Sequence, residues 1–295
     1  MFETNTASCS GFPGISNSFG AALWSLDWAM TMAFNNFSGA LFHTGGQSAY
    51  YNPFTPPPTN QSTFRQWTVG PVYYAALVMA EALGPSNRSQ LMDLGMNAGN
   101  MFTPGYAVYE DGVPTKALMI NFVTDASNAS TYTATLTLPG GTPASVRVKY
   151  LSAASVSQKG NFTWAGQTLG NNFESDGRLT GELDVKTVGC DQTANTCAVA
   201  VPAPGVALVF LTEDAYTEAS PASPLTFPTT VQTRTANTAS VDASAIATSN
   251  GHSGPMPFAA TSQGSRGAGV GMRVAMPGLA TLASVAAGVW IVGRR

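Results

Sequence analysis

The spacing of apolar residues changes near residue 89, and this change limits the possible folds more than any other feature of the sequence. Before it, apolar side chains recur at helical spacing in two stretches, from Phe19 to Phe34 and from Pro71 to just before Gly84. A short apolar run at residues 39–43 lies between them and predicts a buried strand. After residue 89 apolar and polar residues alternate, as in strands with one exposed face. The sequence therefore predicts an α/β part followed by an all-β part.

The all-β part, residues 89–217, predicts an antiparallel β-sandwich. One expected hairpin pairs residues 106–109 with 116–123, and a second pairs 132–138 with 146–150 around a Gly-Gly turn. Further strands are expected near residues 181–188, 197–201 and 206–211. Alternation along these strands leaves one face of each to solvent and the other to a core.

The α/β part, residues 1–88, is too small to enclose a core of its own. It offers two helices and one strand, whereas parallel strands are normally covered on both faces. The first nine residues also lack the basic start and the apolar stretch of a signal peptide. We therefore expect this part to be the end of a larger α/β domain, in a protein whose beginning lies upstream of Met1.

The charge of the chain excludes some classes of partner. Charged residues make up 10% of it, against roughly 25% in an average soluble domain. The formal net charge is -3, and the 13 Lys and Arg residues are scattered. Because nucleic-acid binding requires a clustered basic face, no nucleic-acid partner is expected. The sequence has no His/Cys cluster with metal spacing and no phosphate loop after a strand, so no cofactor or metal is expected.

Acceptor sequences of the form Asn-x-Ser/Thr favour an extracellular glycoprotein. They begin at Asn36, Asn60, Asn87, Asn128 and Asn161. Cys190 and Cys197 flank a polar turn and are predicted to form a disulfide, the alternative being two free thiols. Cys9 is then left over.

The C-terminal region predicts attachment to a membrane or cell wall. Residues 218–273 are rich in Ser, Thr, Ala, Pro and Gly, which is typical of a disordered, O-glycosylated stalk. Residues 274–292 are apolar and uncharged, and their length is near the lower limit for crossing a bilayer. This segment is interpreted as a membrane span or a cleaved lipid-anchor signal, with a buried core helix as the alternative. The expected location is the cell surface.

Glu3 is the first candidate for chemistry, because carboxylates are scarce in the chain. It follows an apolar residue and precedes a small, polar, Gly-rich loop that opens a helix, where a (β/α)8 barrel places catalytic groups. The alternative is a frayed terminal side chain.

The residues around Glu3 resemble a known family. Residues 2–8, Phe-Glu-Thr-Asn-Thr-Ala-Ser, and residues 16–27, Ser-Asn-Ser-Phe-Gly-Ala-Ala-Leu-Trp-Ser-Leu-Asp, are similar to the seventh-strand segment of glycoside hydrolase family 79, the β-glucuronidases and heparanases. The Tyr73-Tyr74 pair and the following β part also resemble this family, and its fungal members most closely. The resemblance extends over about residues 1–215.

The resemblance implies a retaining β-glucuronidase with a barrel packed on a β-sandwich, acting on glucuronide-containing glycans or proteoglycans. Glu3 corresponds to its nucleophile. The family's acid/base Glu lies on an earlier barrel strand, upstream of Met1, so the chain by itself is expected to be inactive. Whether the chain is an enzyme at all thus stays open, and the alternative is a non-catalytic surface glycoprotein with a structural or carbohydrate-binding sandwich.

The loop at residues 43–51 is similar to the family's site for the substrate carboxylate. The resemblance implies that Tyr50 or Tyr51 supplies a hydroxyl and that Ala49 or Tyr50 supplies a backbone N–H. The alternative is that both tyrosines only pack the loop. His43 is a candidate to bind a sugar hydroxyl or to orient Glu3, or else a structural residue. The remaining substrate-contact candidates are Asn5 and Ser8.

Overall fold

Two long helices and one curled antiparallel sheet dominate the structure, a computed structural model that describes residues 3–46, 48–56, 67–125 and 127–219. The long helices are α1 (Phe19–Phe34) and α2 (Pro71–Leu83), so the two helices predicted from the spacing of apolar residues are confirmed. Pro71 occupies the first turn of α2, where its missing N–H costs nothing, and Gly84 follows its end with a φ of 66°. The short helices are α3 (Met96–Gly99), whose middle residues have left-handed backbone, and α4 (Glu213–Ala219).

Eleven strands are assigned among the described residues. They are β1 (Phe54–Thr55), β2 (Thr68–Val69), β3 (Gln90–Asp93), β4 (Gly105–Glu110), β5 (Val113–Asn121), β6 (Tyr132–Leu136), β7 (Ser145–Ser152), β8 (Thr163–Trp164), β9 (Lys186–Asp191), β10 (Thr196–Val201) and β11 (Gly205–Phe210). β1 and β2 pair with each other. The other nine form one antiparallel sheet in the order β3-β4-β5-β11-β7-β9-β10-β6, with β8 on β7.

The sheet folds back on itself at β9. The first residues of β9 pair with β7, whereas Cys190 and Asp191 at its end pair with β10. Strands β5, β11 and β7 therefore face β10 and β6 across an apolar core, which the continuous β9 closes on one side. The buried residues of this core are Ala117, Met119, Ala134, Val146, Val148, Cys197, Val199, Val201, Ala207, Val209 and Leu211. The sequence predicted a sandwich of two sheets, whereas the structure has one curled, half-barrel sheet.

One of the two predicted hairpins is confirmed and the other is wrong. β4 and β5 pair around the turn at Asp111 and Gly112, as expected. Residues 132–138 and 146–150 do not pair, because β6 pairs with β10 while β7 pairs with β11, β8 and β9. Both strands direct apolar side chains into the same core, but from opposite layers. Their connection therefore passes from one layer to the other and does not form a tight turn.

The helices and the other face of the sheet share a second core. Its members include Phe19, Leu23, Leu26 and Met30 of α1, Tyr74, Val78 and Met79 of α2, and Leu118, Ile120, Leu208 and Phe210 of β5 and β11. Tyr74 also accepts a hydrogen bond from the backbone N–H of Leu169 at 2.7 Å. The predicted α/β part is therefore packed directly on the β part.

The predicted stalk and apolar anchor lie outside the described residues, apart from the last two residues of α4. None of the helices in the described part of the chain is long and apolar enough to span a membrane.

Candidate active site

A parallel contact joins the segment of Glu3 to the segment of His43. The N–H of Thr4 donates to the carbonyl of Leu41 at 3.0 Å, and the N–H of His43 donates to the carbonyl of Thr4 at 3.0 Å. These two bonds make one bridge between Thr4 and Phe42, so the strand predicted at residues 39–43 is shorter than expected. The bridge is parallel, and each of the two segments is followed along the chain by one of the long helices.

The bridge brings three of the candidate residues onto one face. Because side chains alternate along an extended segment, Glu3 and Asn5 lie on the face opposite to Thr4. His43 is next to Phe42, the bridge partner of Thr4, and so lies on the same face as Asn5. The Asn5 side-chain amide donates to the carbonyl of His43 at 2.8 Å. The face is open, since Glu3 and His43 are both exposed.

Tyr51 fixes the ring of His43. Its hydroxyl lies 2.8 Å from His43 Nδ1, and the two rings meet edge to face with centroids 5.7 Å apart. Tyr51 is buried, whereas the neighbouring Tyr50 is 42% exposed. Of the two tyrosines predicted to hold a carboxylate, Tyr51 is therefore the one that contacts His43.

The two backbone amides predicted to bind a carboxylate already have acceptors. The N–H of Ala49 donates to the carbonyl of Gly46 at 3.0 Å. The N–H of Tyr50 donates to the carbonyl of Ser10 at 2.7 Å, which ties the second loop to the loop after Glu3. In this structure both amides hold the loop, and the Tyr51 hydroxyl contacts the candidate residue His43.

Ser16 holds the loop that follows Glu3, a role that the sequence did not predict. Its buried Oγ accepts from the N–H of Phe12 at 2.9 Å and from the hydroxyl of Thr6 at 2.7 Å. A Cβ at Gly11 would lie 2.5 Å from that oxygen, and Gly11 has a φ of +75°, so this position requires glycine. The candidate Ser8 takes part through its carbonyl, which accepts from the N–H of Gly11.

Asn52 holds the loop that follows His43 and was also missed. Its Oδ1 accepts from the N–H of Gly45 at 2.9 Å, and its Nδ2 donates to the carbonyl of Gly46 at 3.0 Å. Asn52 is buried. An Asn and a Ser in polar loops give no distinctive signal in one sequence, because their partners come from other segments.

Asp27 is the other carboxylate within the first 80 residues and is already engaged. The Tyr106 hydroxyl donates to it at 2.6 Å and lies 2.9 Å from the Thr31 hydroxyl. Burial raises the pKa of Asp27, and the hydrogen bond from Tyr106 opposes that rise. Asp27 therefore joins α1 to β4 and is not available beside Glu3.

The other candidate residues lie away from this face. Cys190 and Cys197 are joined by a disulfide between β9 and β10, and Cys9 is a free, exposed thiol. The acceptor residues Asn36, Asn87, Asn128 and Asn161 are exposed at positive φ, and Asn60 lies outside the described residues. Within the described ranges, no group of three or more His, Cys, Asp or Glu side chains is arranged to hold a metal ion.

Comparisons with known proteins show that the chain is similar to a family of glycosidases. Residues 105–208 match the glycosyl hydrolase family 79 C-terminal beta domain. A β-glucuronidase of Aspergillus niger is 32% identical over 121 residues, which are 41% of this chain and 21% of that protein. A β-glucuronidase of Neurospora crassa is 28% identical over 207 residues, covering 59% of this chain and 36% of that one.

A solved structure is similar as well. It is a 4-O-α-L-rhamnosyl-β-D-glucuronidase from Fusarium oxysporum in complex with Rha-GlcA, with a TM-score of 0.57 and 25% sequence identity. The match covers 71% of this chain and 42% of that one. The aligned regions therefore span between about a fifth and two fifths of these relatives.

Proposed function

Because this chain is the C-terminal part of a glycoside hydrolase family 79 protein, we propose that it supplies the nucleophile of a retaining β-glucuronidase that acts on glucuronide-containing glycans. The observation that carries the proposal is the bridge between Thr4 and Phe42. It brings Glu3, Asn5 and His43 to one open face, with the Tyr51 hydroxyl 2.8 Å from His43.

The proposed chemistry begins with Glu3. Its carboxylate attacks the anomeric carbon of the glucuronide, a second carboxyl protonates the leaving oxygen, and water then releases the sugar from Glu3. Each of these two displacements inverts the anomeric carbon, so the configuration is retained overall. Asn5 and His43, on the same face, bind sugar hydroxyls or orient Glu3, and the buried Tyr51 keeps the His43 ring in place.

The second carboxyl is proposed to come from a segment outside this sequence. In retaining glycosidases it lies about 5–5.5 Å from the nucleophile. Glu3 and Asp27 are the only acidic residues in the first 80, and Asp27 is held by Tyr106. The 295-residue chain is therefore proposed to be inactive by itself.

Residues 1–88 are accordingly proposed to be the last part of a (β/α)8 barrel, and residues 89–217 the C-terminal β domain. The parallel bridge between two segments, with α1 and α2 following them, supports this division. In such barrels the catalytic groups lie at the carboxyl ends of the strands, and this is the position proposed for Glu3 and His43.

A glutamine at position 3 tests the proposed nucleophile. In a form of the protein that hydrolyses an aryl β-glucuronide, Glu3→Gln is expected to lower kcat/KM by roughly 10⁴-fold or more, as when other enzyme nucleophiles are removed. Glu174→Gln changes an exposed glutamate of the β domain and is the matched control. Activity of Glu3→Gln equal to that of the control would remove Glu3 from the mechanism.

A second candidate function is favoured by the acceptor sequences. Asn36, Asn87, Asn128 and Asn161 are exposed, so their side chains are accessible for glycan attachment. The alternative is thus a non-catalytic, extracellular glycoprotein whose β domain is structural or binds carbohydrate, attached to a membrane or wall by its C-terminal region. Hydrolysis by the upstream-extended protein excludes this alternative.

A further inference from the structure

A cleft of about 230 Å³ lies between the loop of Tyr50 and the loop of Phe173. Tyr50 belongs to the candidate active-site loop, whereas Phe173 belongs to the β domain. Both rings are about two fifths exposed, at 42% and 41%. The volume is below the roughly 300–1,000 Å³ of pockets for drug-sized ligands and suits one sugar ring.

The backbone at Phe173 is strained. Its φ is +56°, in the left-handed region that bulky side chains rarely adopt. The N–H of Phe173 donates to the Thr68 hydroxyl at 2.9 Å, which helps to hold this conformation. A strained aromatic residue whose ring is left partly in solvent gains little from packing, and such residues cluster at ligand sites.

The polar lining of the cleft consists of amides and hydroxyls. Asn17, Asn52 and Asn172 line the cleft. The Asn52 amide is engaged by its own loop and Asn17 Oδ1 accepts from the N–H of Gly14, whereas Asn172 is exposed. Tyr50 is the only ionisable residue that lines the cleft in the described part of the chain. Amides donate and accept hydrogen bonds as sugar hydroxyls require, but they offer no cation to a carboxylate.

We infer that this cleft binds a neutral sugar ring, held between the rings of Tyr50 and Phe173 and hydrogen-bonded by Asn172. The inference deepens the proposed function, because Tyr50 adjoins Tyr51 and the cleft would take the sugar next to the glucuronate. That sugar is either the leaving group, on the far side of the scissile bond from the glucuronate, or a neutral substituent carried by the glucuronate.

Binding to the 295-residue chain tests the inference without catalysis. The probes are methyl β-D-glucopyranoside, methyl β-D-galactopyranoside and methyl α-L-rhamnopyranoside, each titrated while the amide resonances of residues 172 and 173 are followed by NMR. We expect at least one probe to shift both resonances. Phe173→Ala should weaken that probe's binding about tenfold, whereas Phe102→Ala, which removes an exposed ring outside the cleft, should leave it unchanged.

Two further variants keep the outcome decisive. Asn172→Ala replaces an exposed amide and should also weaken binding, even if Phe173→Ala fails to fold as judged by circular dichroism. Glu3→Gln should leave binding of the neutral probe unchanged, so loss of the proposed nucleophile is distinguished from loss of the cleft. Absence of binding by all three probes, or equal affinities for Phe173→Ala and Phe102→Ala, would overturn the inference.

Two disaccharides then distinguish the sources of the sugar. One carries galactose on the reducing side of glucuronic acid, and the other carries rhamnose on its O4. The disaccharide whose affinity falls in Phe173→Ala identifies the side on which the cleft lies. If neither affinity falls, the cleft does not bind the sugar next to the glucuronate and the inference is wrong.

Discussion

Asp27 is a single residue whose ionisation is tied to the fold. It lies half-buried on α1 and accepts a hydrogen bond from Tyr106 on β4. Burial raises its pKa above the ordinary 3.8, so folding favours the protonated form. The contribution of Asp27 to stability is therefore complete below its ordinary pKa and is lost as the pH rises through the raised, folded value.

Asp27→Asn should remove this dependence, because an amide does not ionise but can still accept from Tyr106. The free energy of unfolding of the variant relative to the wild type is expected to rise as the pH increases from about 4 through the raised pKa of folded Asp27. Urea unfolding at several pH values measures it. Asp214→Asn, at an exposed position, should follow the wild type, and parallel curves for all three proteins would contradict the prediction.

The candidate residues that the sequence indicated are those in short, unusual segments. Glu3 and His43 stand out because carboxylates and histidines are scarce, and Asn5 is a candidate because it lies beside Glu3. The bridge between Thr4 and Phe42 places the three on one face. Ser16 and Phe173 could not be predicted in the same way. Their roles come from contacts with Thr6 and Thr68, one of them more than 100 residues away, and a single sequence carries no signal for such contacts.

At the scale of elements, α2 is fastened to the sheet by Glu81. One carboxylate oxygen lies 2.7 Å from Lys149 Nζ on β7, and the other accepts from Trp164 Nε1 on β8 at 2.7 Å. The Lys149 side chain is only 5% exposed and the Glu81 side chain 20%. Removing one partner of such a pair leaves a charge in a poorly hydrated place.

Glu81→Ala is expected to lower the free energy of unfolding by about 3–5 kcal/mol, because it leaves Lys149 and Trp164 without this acceptor. The exposed ion pair of Arg147 and Glu213 gives the matched control. Glu213→Ala should cost at most about 1 kcal/mol. Urea unfolding of both variants compares the two, and equal costs would show that Glu81 contributes no more than a surface charge.

Elements whose pattern is local were predicted and those that depend on distant pairing were not. The period of α1 and α2 is contained in their own residues, and both helices begin and end where the sequence indicated. The partner of β6 is β10, more than 60 residues further along the chain. The Gly-Gly turn after β6 suggested a hairpin, but burial of β6 and β7 in one core from opposite sides decided the pairing.

At the scale of the whole molecule, the helical part and the sheet are expected to unfold together. They bury Phe19 and Tyr74 in the same core as Leu118 and Phe210. Hydrogen exchange of the 295-residue chain should therefore give α1 and β11 the same opening free energy and the same response to low denaturant. Exchange of α1 at lower denaturant than β11 would instead indicate two independently folding units.

The core shared by the helices and the sheet limits where this protein can be divided to make chimeras. A chimera that takes only the residues from about 105 onwards, where the family match begins, would contain most of the sheet without the helices that cover it. Leu118, Ile120, Leu208 and Phe210 would then face water, and apolar patches of this kind promote aggregation. The helix α4 also packs on this core through Ala215 and Tyr216, so a junction beyond α4 keeps the core intact. The β domain by itself is not expected to fold after transfer to another protein.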